Sequence, residues 1–208
     1  MDPRRLVLVA VAALCLTACA TSTFRPAFRN PEAGRLAFRA GDTVLGMVVS
    51  ADEALRRGGE DALARELGKR GVKGVPSYSV VGDEIVQDRH TAKAAIQSSG
   101  AAGVVVLRVT ARDQEISSTP GAMYLSPYYD GFYVGYYPYG WGMAYDPGQL
   151  RSETAVYVEA LVYDLRQDKL LWAGESETLR PPQADALVRE LADDAAKQLK
   201  QQGLVRRR

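Results

Sequence analysis

The sequence predicts a single α/β domain built on a mixed five-stranded sheet. Three observations support this prediction. Short apolar runs alternate with helical patterns in the first half, two strand-like runs follow each other across a short turn in the second half, and a long amphipathic stretch comes near the end. Alternating strands and helices are typical of parallel strands joined by right-handed crossovers. The short connection between the last two strands predicts an antiparallel hairpin.

The first half of the domain begins with a strand and a helix. Residues 43–49 form an apolar run that is typical of a strand buried on both faces. Residues 50–53 have the spacing of a capping box, and the helix that follows continues to about Arg70. Gly58 and Gly59 weaken the first half of this helix, which favours a later start near residue 60.

Two further strands and a short helix complete the β-α-β-α-β order. The strands are predicted over residues 72–81 and 102–109, and the helix between them over 89–98. Pro76 interrupts the earlier strand. Because proline cannot donate to a ladder, that strand should lie at an edge of the sheet or start late.

The second half predicts the hairpin and the last helix. Its strands cover residues 154–165 and 170–178, and a helix with leucine or alanine at every fourth position covers 183–201. The α/β domain therefore spans residues 41–203, and a basic tail occupies 204–208.

The N-terminal residues have the pattern of a targeting segment. Arg4 and Arg5 precede the uncharged apolar run 6–16. A bilayer-spanning helix needs about 20 apolar residues, so this run is too short to be one. The run ends in Leu-Thr-Ala-Cys at residues 16–19, which resembles the lipobox of bacterial lipoproteins. A plain secretory signal, cleaved near residue 18 or 20, is the alternative.

The lipobox resemblance implies a lipid anchor. Residues 1–18 would be the signal peptide, and Cys19 would become the first mature residue and carry lipid on its sulfur. Two or three acyl chains hold a protein permanently, since each buried CH₂ adds about 0.8 kcal/mol. Residue 20 is Ala and not the Asp that favours the inner membrane in enteric bacteria, so the resemblance implies the periplasmic face of the outer membrane.

Residues 19–40 are predicted to be a lipidated tether. Prolines, glycine and asparagine break any helical or strand period there. Fully extended, such a tether reaches roughly 65 Å. Phe24, Phe28, Leu36 and Phe38 lie within it, and their side chains could instead pack on the domain or lie at the membrane interface.

The charge balance and residue content argue against several classes of function. Cleavage after residue 18 removes Asp2, Arg4 and Arg5 and leaves 24 basic and 24 acidic residues, which argues against nucleic-acid binding. One histidine and two cysteines leave little material for a metal site. Neither a phosphate-binding loop nor a nucleophile elbow is present. We therefore expect a protein that is not an enzyme and that uses no cofactor and no metal.

One carboxylate keeps an enzymatic alternative open. Glu159 lies in the middle of a predicted strand, where a charge is costly unless it is paired. Glu175 or Glu177 could lie near it across the hairpin and complete the carboxylate pair that glycoside hydrolysis requires. Arginines such as Arg108 offer a simpler role for Glu159, in a structural ion pair.

An insertion rich in tyrosine, glycine and proline occupies residues 121–146. It holds most of the chain's 11 tyrosines. It lies in a connection of some 40 residues, where a few are usual. Tyrosine gives a large, rigid and amphipathic contact area, suited to glycan, a partner protein or lipid headgroups. A low-complexity excursion without a binding role is the alternative. The residues predicted to form a binding surface are Tyr128, Tyr129, Tyr133, Tyr136, Tyr137, Tyr139 and Trp141.

The order of elements over about residues 43–201 resembles the N-terminal domain of the Tol-system periplasmic protein and related small α/β domains of outer-membrane lipoproteins. The resemblance implies a fold and a compartment but no reaction. The prediction is thus a non-enzymatic adaptor or binding module of the cell envelope that contacts an envelope protein or peptidoglycan. The alternatives are the glycan-acting enzyme and a self-assembling structural subunit.

Overall fold

A computed structural model of the protein describes residues 23–82, 89–112, 155–179 and 183–206. Within these residues, six strands form one mixed sheet in the order β1-β6-β5-β4-β2-β3. The strands are β1 (Arg25–Arg29), β2 (Thr43–Val49), β3 (Lys73–Pro76), β4 (Gly103–Arg112), β5 (Ala155–Asp164) and β6 (Lys169–Leu179). The helices are α1 (Ala33–Leu36), α2 (Glu53–Lys69), α3 (Arg89–Ser98) and α4 (Ala184–Gln201), and a short 3-10 turn covers Ser77–Ser79.

The predicted α/β class is confirmed. β2 pairs in parallel with both β3 and β4, and β5 and β6 form the predicted antiparallel hairpin. β3 lies at an edge of the sheet and ends at Pro76, as the missing N–H group of proline requires.

The predicted count of five strands is too low by one, and the predicted tether over 19–40 is too long. β1 pairs antiparallel with β6, and α1 follows β1 directly. Phe24 and Phe38 are buried, with 2% and 0% of their surface exposed. Pro26 concealed the strand in the sequence, because proline cannot donate to a ladder. The ladder with β6 shifts its register between Pro26 and Phe28, an irregularity that edge strands tolerate.

The main chain is fixed to α4 before β1 begins. The ring of Phe24 meets the ring of Trp172 edge to face, with 6.4 Å between centroids. The N–H group of Phe24 donates to Oδ2 of Asp194 at 2.7 Å, and the amide of Gln198 donates to the Phe24 carbonyl at 3.4 Å. The chain is therefore attached to the domain from Phe24 onward.

Helices cover both faces of the sheet. Successive residues of a strand point to opposite faces, so β2, β4 and β5 supply two separate apolar cores. The core under α2 and α4 includes Val48, Leu63, Leu107, Val158, Leu191 and Leu199. The core under α3 includes Met47, Ala92, Ile96, Val106, Leu161 and Tyr163.

The start of α2 differs from the prediction. Asp52, not Ser50, caps the helix, and its Oδ1 accepts the N–H of Leu55 at 3.0 Å. The two glycines do not delay the helix. Gly59 lies where α2 meets α4, since a Cβ atom there would be 2.5 Å from Cγ1 of Val188. The glycine that lowers helix propensity thus permits close packing of the two helices.

Glu60 clamps α2 to the sheet. Its carboxylate is fully buried and accepts the N–H groups of Val48 at 3.3 Å and Tyr78 at 2.8 Å. The guanidinium of Arg56 lies 3.6 Å away. Burial raises the pKa of the Glu60 carboxyl above its usual value, because desolvation outweighs these favourable contacts.

The raised pKa of Glu60 predicts a pH dependence of stability. A carboxyl whose pKa is higher in the folded than in the unfolded state favours folding below its unfolded pKa, and this contribution is lost as the pH rises through the folded pKa. Glu60→Gln removes the titration. The free energy of unfolding of the unsubstituted protein minus that of the variant should therefore fall as the pH rises above about 4.5. Urea denaturation at several pH values measures this difference, and a constant difference would contradict the prediction.

Candidate functional site at the carboxyl end of the sheet

The parallel strands β2 and β4 end on the same side of the sheet, which we call the carboxyl end. β4 ends there at Arg112, which pairs with Val156 near the start of β5. Residues 113–154 therefore leave from this end and return to it. α2 lies on one face of β2 and α3 on the other. In open α/β sheets, ligands bind outside the carboxyl ends of strands at such a switch point.

An apolar pocket opens at the carboxyl end, on the face covered by α2 and α4. Its volume is about 30 Å³. The lining includes Val48, Leu55, Leu107, Val109, Val158, Leu187, Val188 and Leu191. Pockets for metabolites and cofactors usually exceed roughly 300 Å³. This pocket therefore suits one small apolar group, such as part of a partner's side chain, better than a substrate.

The opposite face of the carboxyl end holds a buried ion pair. Arg108 of β4 and Glu159 of β5 are opposite each other in the ladder, with 2.8 Å between Nη2 and Oε2. Arg108 is 8% exposed and Glu159 is 4% exposed. A buried carboxylate is costly without such a partner. The contact favours the ion-pair interpretation of Glu159 over the catalytic one.

Other charged side chains continue this row across the sheet. Glu175 of β6 lies opposite Glu159, and Arg25 of β1 lies opposite Glu175. Directly opposed side chains have Cβ atoms about 5 Å apart. The row thus carries two arginines and two glutamates from β4 to β1. Two residue pairs further along the ladder, the hydroxyl of Tyr157 donates to Oε1 of Glu177 at 3.1 Å. With two charges of each sign, the row offers no net charge to attract an ion.

The predicted lipid and binding residues are not in the described part of the chain. Cys19 lies outside it, and so do all seven aromatic residues predicted to form a binding surface. The seven are Tyr128, Tyr129, Tyr133, Tyr136, Tyr137, Tyr139 and Trp141. The structure does position the two ends of the connection that carries them, at Arg112 and Ala155.

Neither a metal-binding cluster nor a helix suited to crossing a membrane occurs in the described ranges. No three His, Cys, Asp or Glu side chains in these ranges are close enough together to bind a metal ion. No helix formed by these residues combines the length and the apolar character needed to cross a membrane.

Few sequence signals indicate the residues that attach the N-terminal segment and α2 to α4. Asp194 accepts the Phe24 N–H group, and the neighbouring Asp193 accepts from Nη2 of Arg70 at 2.6 Å. Lys197 and Arg70 hold the pKa of Asp193 at about 2. The one sequence signal was the apolar character of Phe24, which the surrounding polar residues masked.

No family model and no curated protein matches the chain. Among solved structures, it is similar to a PelC dodecamer from Paraburkholderia phytofirmans with 13% identity, 84% coverage of this chain, 96% coverage of that chain and a TM-score of 0.41. A second PelC dodecamer from the same organism is 13% identical, with 90% coverage of this chain, 99% coverage of that chain and a TM-score of 0.44. Lipoprotein GNA1162 from Neisseria meningitidis is 19% identical, with 67% coverage of this chain, 80% coverage of that chain and a TM-score of 0.36. At these TM-scores the similarity carries no functional inference.

The buried ion pair predicts a strongly asymmetric mutational response. Arg108→Leu leaves the Glu159 carboxylate buried without this partner and should lower the free energy of unfolding by about 3–5 kcal/mol. Changing both residues to leucine removes the charge as well, so the double variant should recover most of that loss. Urea denaturation of the two single variants and the double variant measures the coupling. A double variant no more stable than Arg108→Leu would contradict this account.

Proposed function

We propose that the protein is a lipid-anchored binding module of the cell envelope, held through Cys19 on the periplasmic face of the outer membrane and acting without catalysis. Its contact surface is the carboxyl end of the sheet together with the aromatic residues of 121–146. Its partner is an envelope protein, and binding of peptidoglycan by the same surface is the alternative outcome.

The observation that carries the proposal is the fixed position of Phe24. It is buried and bonded to α4, so only the residues between Cys19 and Phe24 can act as a tether. Those five steps span at most about 17 Å. A lipidated Cys19 would thus hold the domain close to the bilayer surface and not at the end of a long tether.

The direction of β1 relates the anchor to the contact surface. Arg25 begins β1 level with Glu175, and the strand then runs to Arg29, opposite Trp172, toward the turn between β5 and β6. The chain therefore enters the sheet from the side of the carboxyl end, where residues 113–154 also leave and return. Tyrosine and tryptophan are favoured at membrane–water interfaces. An anchor on this side brings the aromatic segment within reach of envelope components.

The environment of Glu159 supports a role without catalysis. In glycoside hydrolysis two carboxyl groups must face the substrate across the scissile bond. The Glu159 side chain is instead buried in the sheet, and its Oε2 accepts from Nη2 of Arg108 at 2.8 Å. The small apolar pocket also suits an anchoring side chain better than a sugar.

Deleting residues 121–146 tests the binding role. The ends of the connection would remain joined through residues outside the deletion, so far-UV circular dichroism and the unfolding midpoint should stay close to those of the full chain. Recovery of crosslinked partners from intact envelopes should be lost. The Cys19→Ser protein separates anchoring from binding, and Cys15→Ser is its matched control. Cys19→Ser should leave the membrane fraction, and Cys15→Ser should stay in it. Unchanged partner recovery after the deletion would overturn the contact surface.

A further inference from the structure

Four arginines gather at the amino end of the sheet, where β2 and β4 begin. We call them the arginine cluster: Arg29, Arg35, Arg39 and Arg206. All four are exposed. Nη2 of Arg29 donates to the Gln202 carbonyl at 3.1 Å, just beyond α4. Nη2 of Arg206 donates to the Arg35 carbonyl at 2.8 Å. The segments that carry the cluster are therefore in direct contact.

The cluster is fixed to the amino end by the backbone around Phe38. The N–H group of Arg206 donates to the Phe38 carbonyl at 2.9 Å, and Phe38 forms a parallel bridge with Val205. The Phe38 ring lies against Gly103, the first residue of β4, where a Cβ atom would be 2.3 Å from the ring. The base of the cluster is thus rigid.

The positive charges of the cluster are only partly offset, since Glu32 interacts electrostatically with Arg35 without forming an ion pair with it. Within the described ranges none of the four arginines forms an ion pair with Asp or Glu, and the side-chain hydrogen bonds of Arg29 and Arg206 go to main-chain carbonyls. The nearby carboxylates have other partners. Glu32 pairs with Lys169 at 2.9 Å, and Arg166 pairs with both Asp42 and Asp164.

Such a surface favours a ligand with many carboxylates. A guanidinium binds a carboxylate through two parallel hydrogen bonds, and several exposed guanidiniums at one end create a local positive potential in a chain with little net charge.

We propose that the arginine cluster docks the carboxylate-bearing peptides of peptidoglycan. This rests on the proposed function for its orientation. From Phe24 to Arg29 the chain advances about 16 Å away from the anchor. Screening at physiological salt acts over about 8 Å. The charges of lipid headgroups at the anchor are thus screened from the cluster by distance and salt. The wall lies on the far side of the domain, where this separation does not apply. The protein would hold the membrane at one end and the wall at the other.

Co-sedimentation of the full-length protein with purified sacculi tests the proposal. Arg35→Gln/Arg39→Gln should weaken sacculus binding at least about tenfold in low salt, because hydrogen bonds to charged groups are lost at both positions. Arg65→Gln/Arg189→Gln is the matched control, with the same loss of charge on exposed positions of α2 and α4, and should bind like the unsubstituted protein. Binding by the unsubstituted protein should fall as NaCl is raised.

The outcomes separate this proposal from the proposed function. Equal binding by the Arg35/Arg39 variant and the control would overturn it. It would also be overturned if the Arg35/Arg39 variant lost binding to phosphatidylglycerol vesicles but kept binding to sacculi. Cys19→Ser and the 121–146 deletion should both leave sacculus binding intact. A failure of the anchor or of the aromatic contact surface therefore cannot be mistaken for a failure of the cluster.

Discussion

The burial of Phe24 between Trp172 and α4 determines how the rest of the molecule is arranged around its N-terminal segment. Its ring completes the core under α4, and its N–H group is bonded to Asp194. From this residue the chain continues as the edge strand β1. Under the proposed lipid anchor at Cys19, the five steps from that residue to Phe24 would hold the domain close to the bilayer.

The two ends of the sheet have different chemistry. The carboxyl end combines a small apolar pocket with a row of balanced charges, and the connection with the aromatic residues starts and finishes there. The amino end presents the arginine cluster on a rigid base formed by α1, the end of α4 and the backbone around Phe38. A protein with balanced net charge can thus present a selective surface at each end, because its charges are unevenly distributed.

The sequence predicted the elements with strong periodicity and missed those that depend on tertiary contacts. β2 and β4 are continuous apolar runs, and the leucines of α4 recur at helical spacing, so their burial could be inferred directly. β1 has only five residues, contains Pro26 and gains its stability from Phe24 and α4. Arg108 is among the predicted partners of Glu159, but whether the two residues lie opposite each other depends on the register of the ladder. The pocket and the arginine cluster bring together residues far apart in sequence, which no local pattern reveals.

Neutron reflectometry of the lipidated full-length protein on a supported bilayer tests the central claim most directly. The fixed position of Phe24 predicts that the protein layer begins within about 17 Å of the headgroups. A water-filled gap of several tens of Å below the domain, as an extended tether over residues 19–40 would allow, would contradict it.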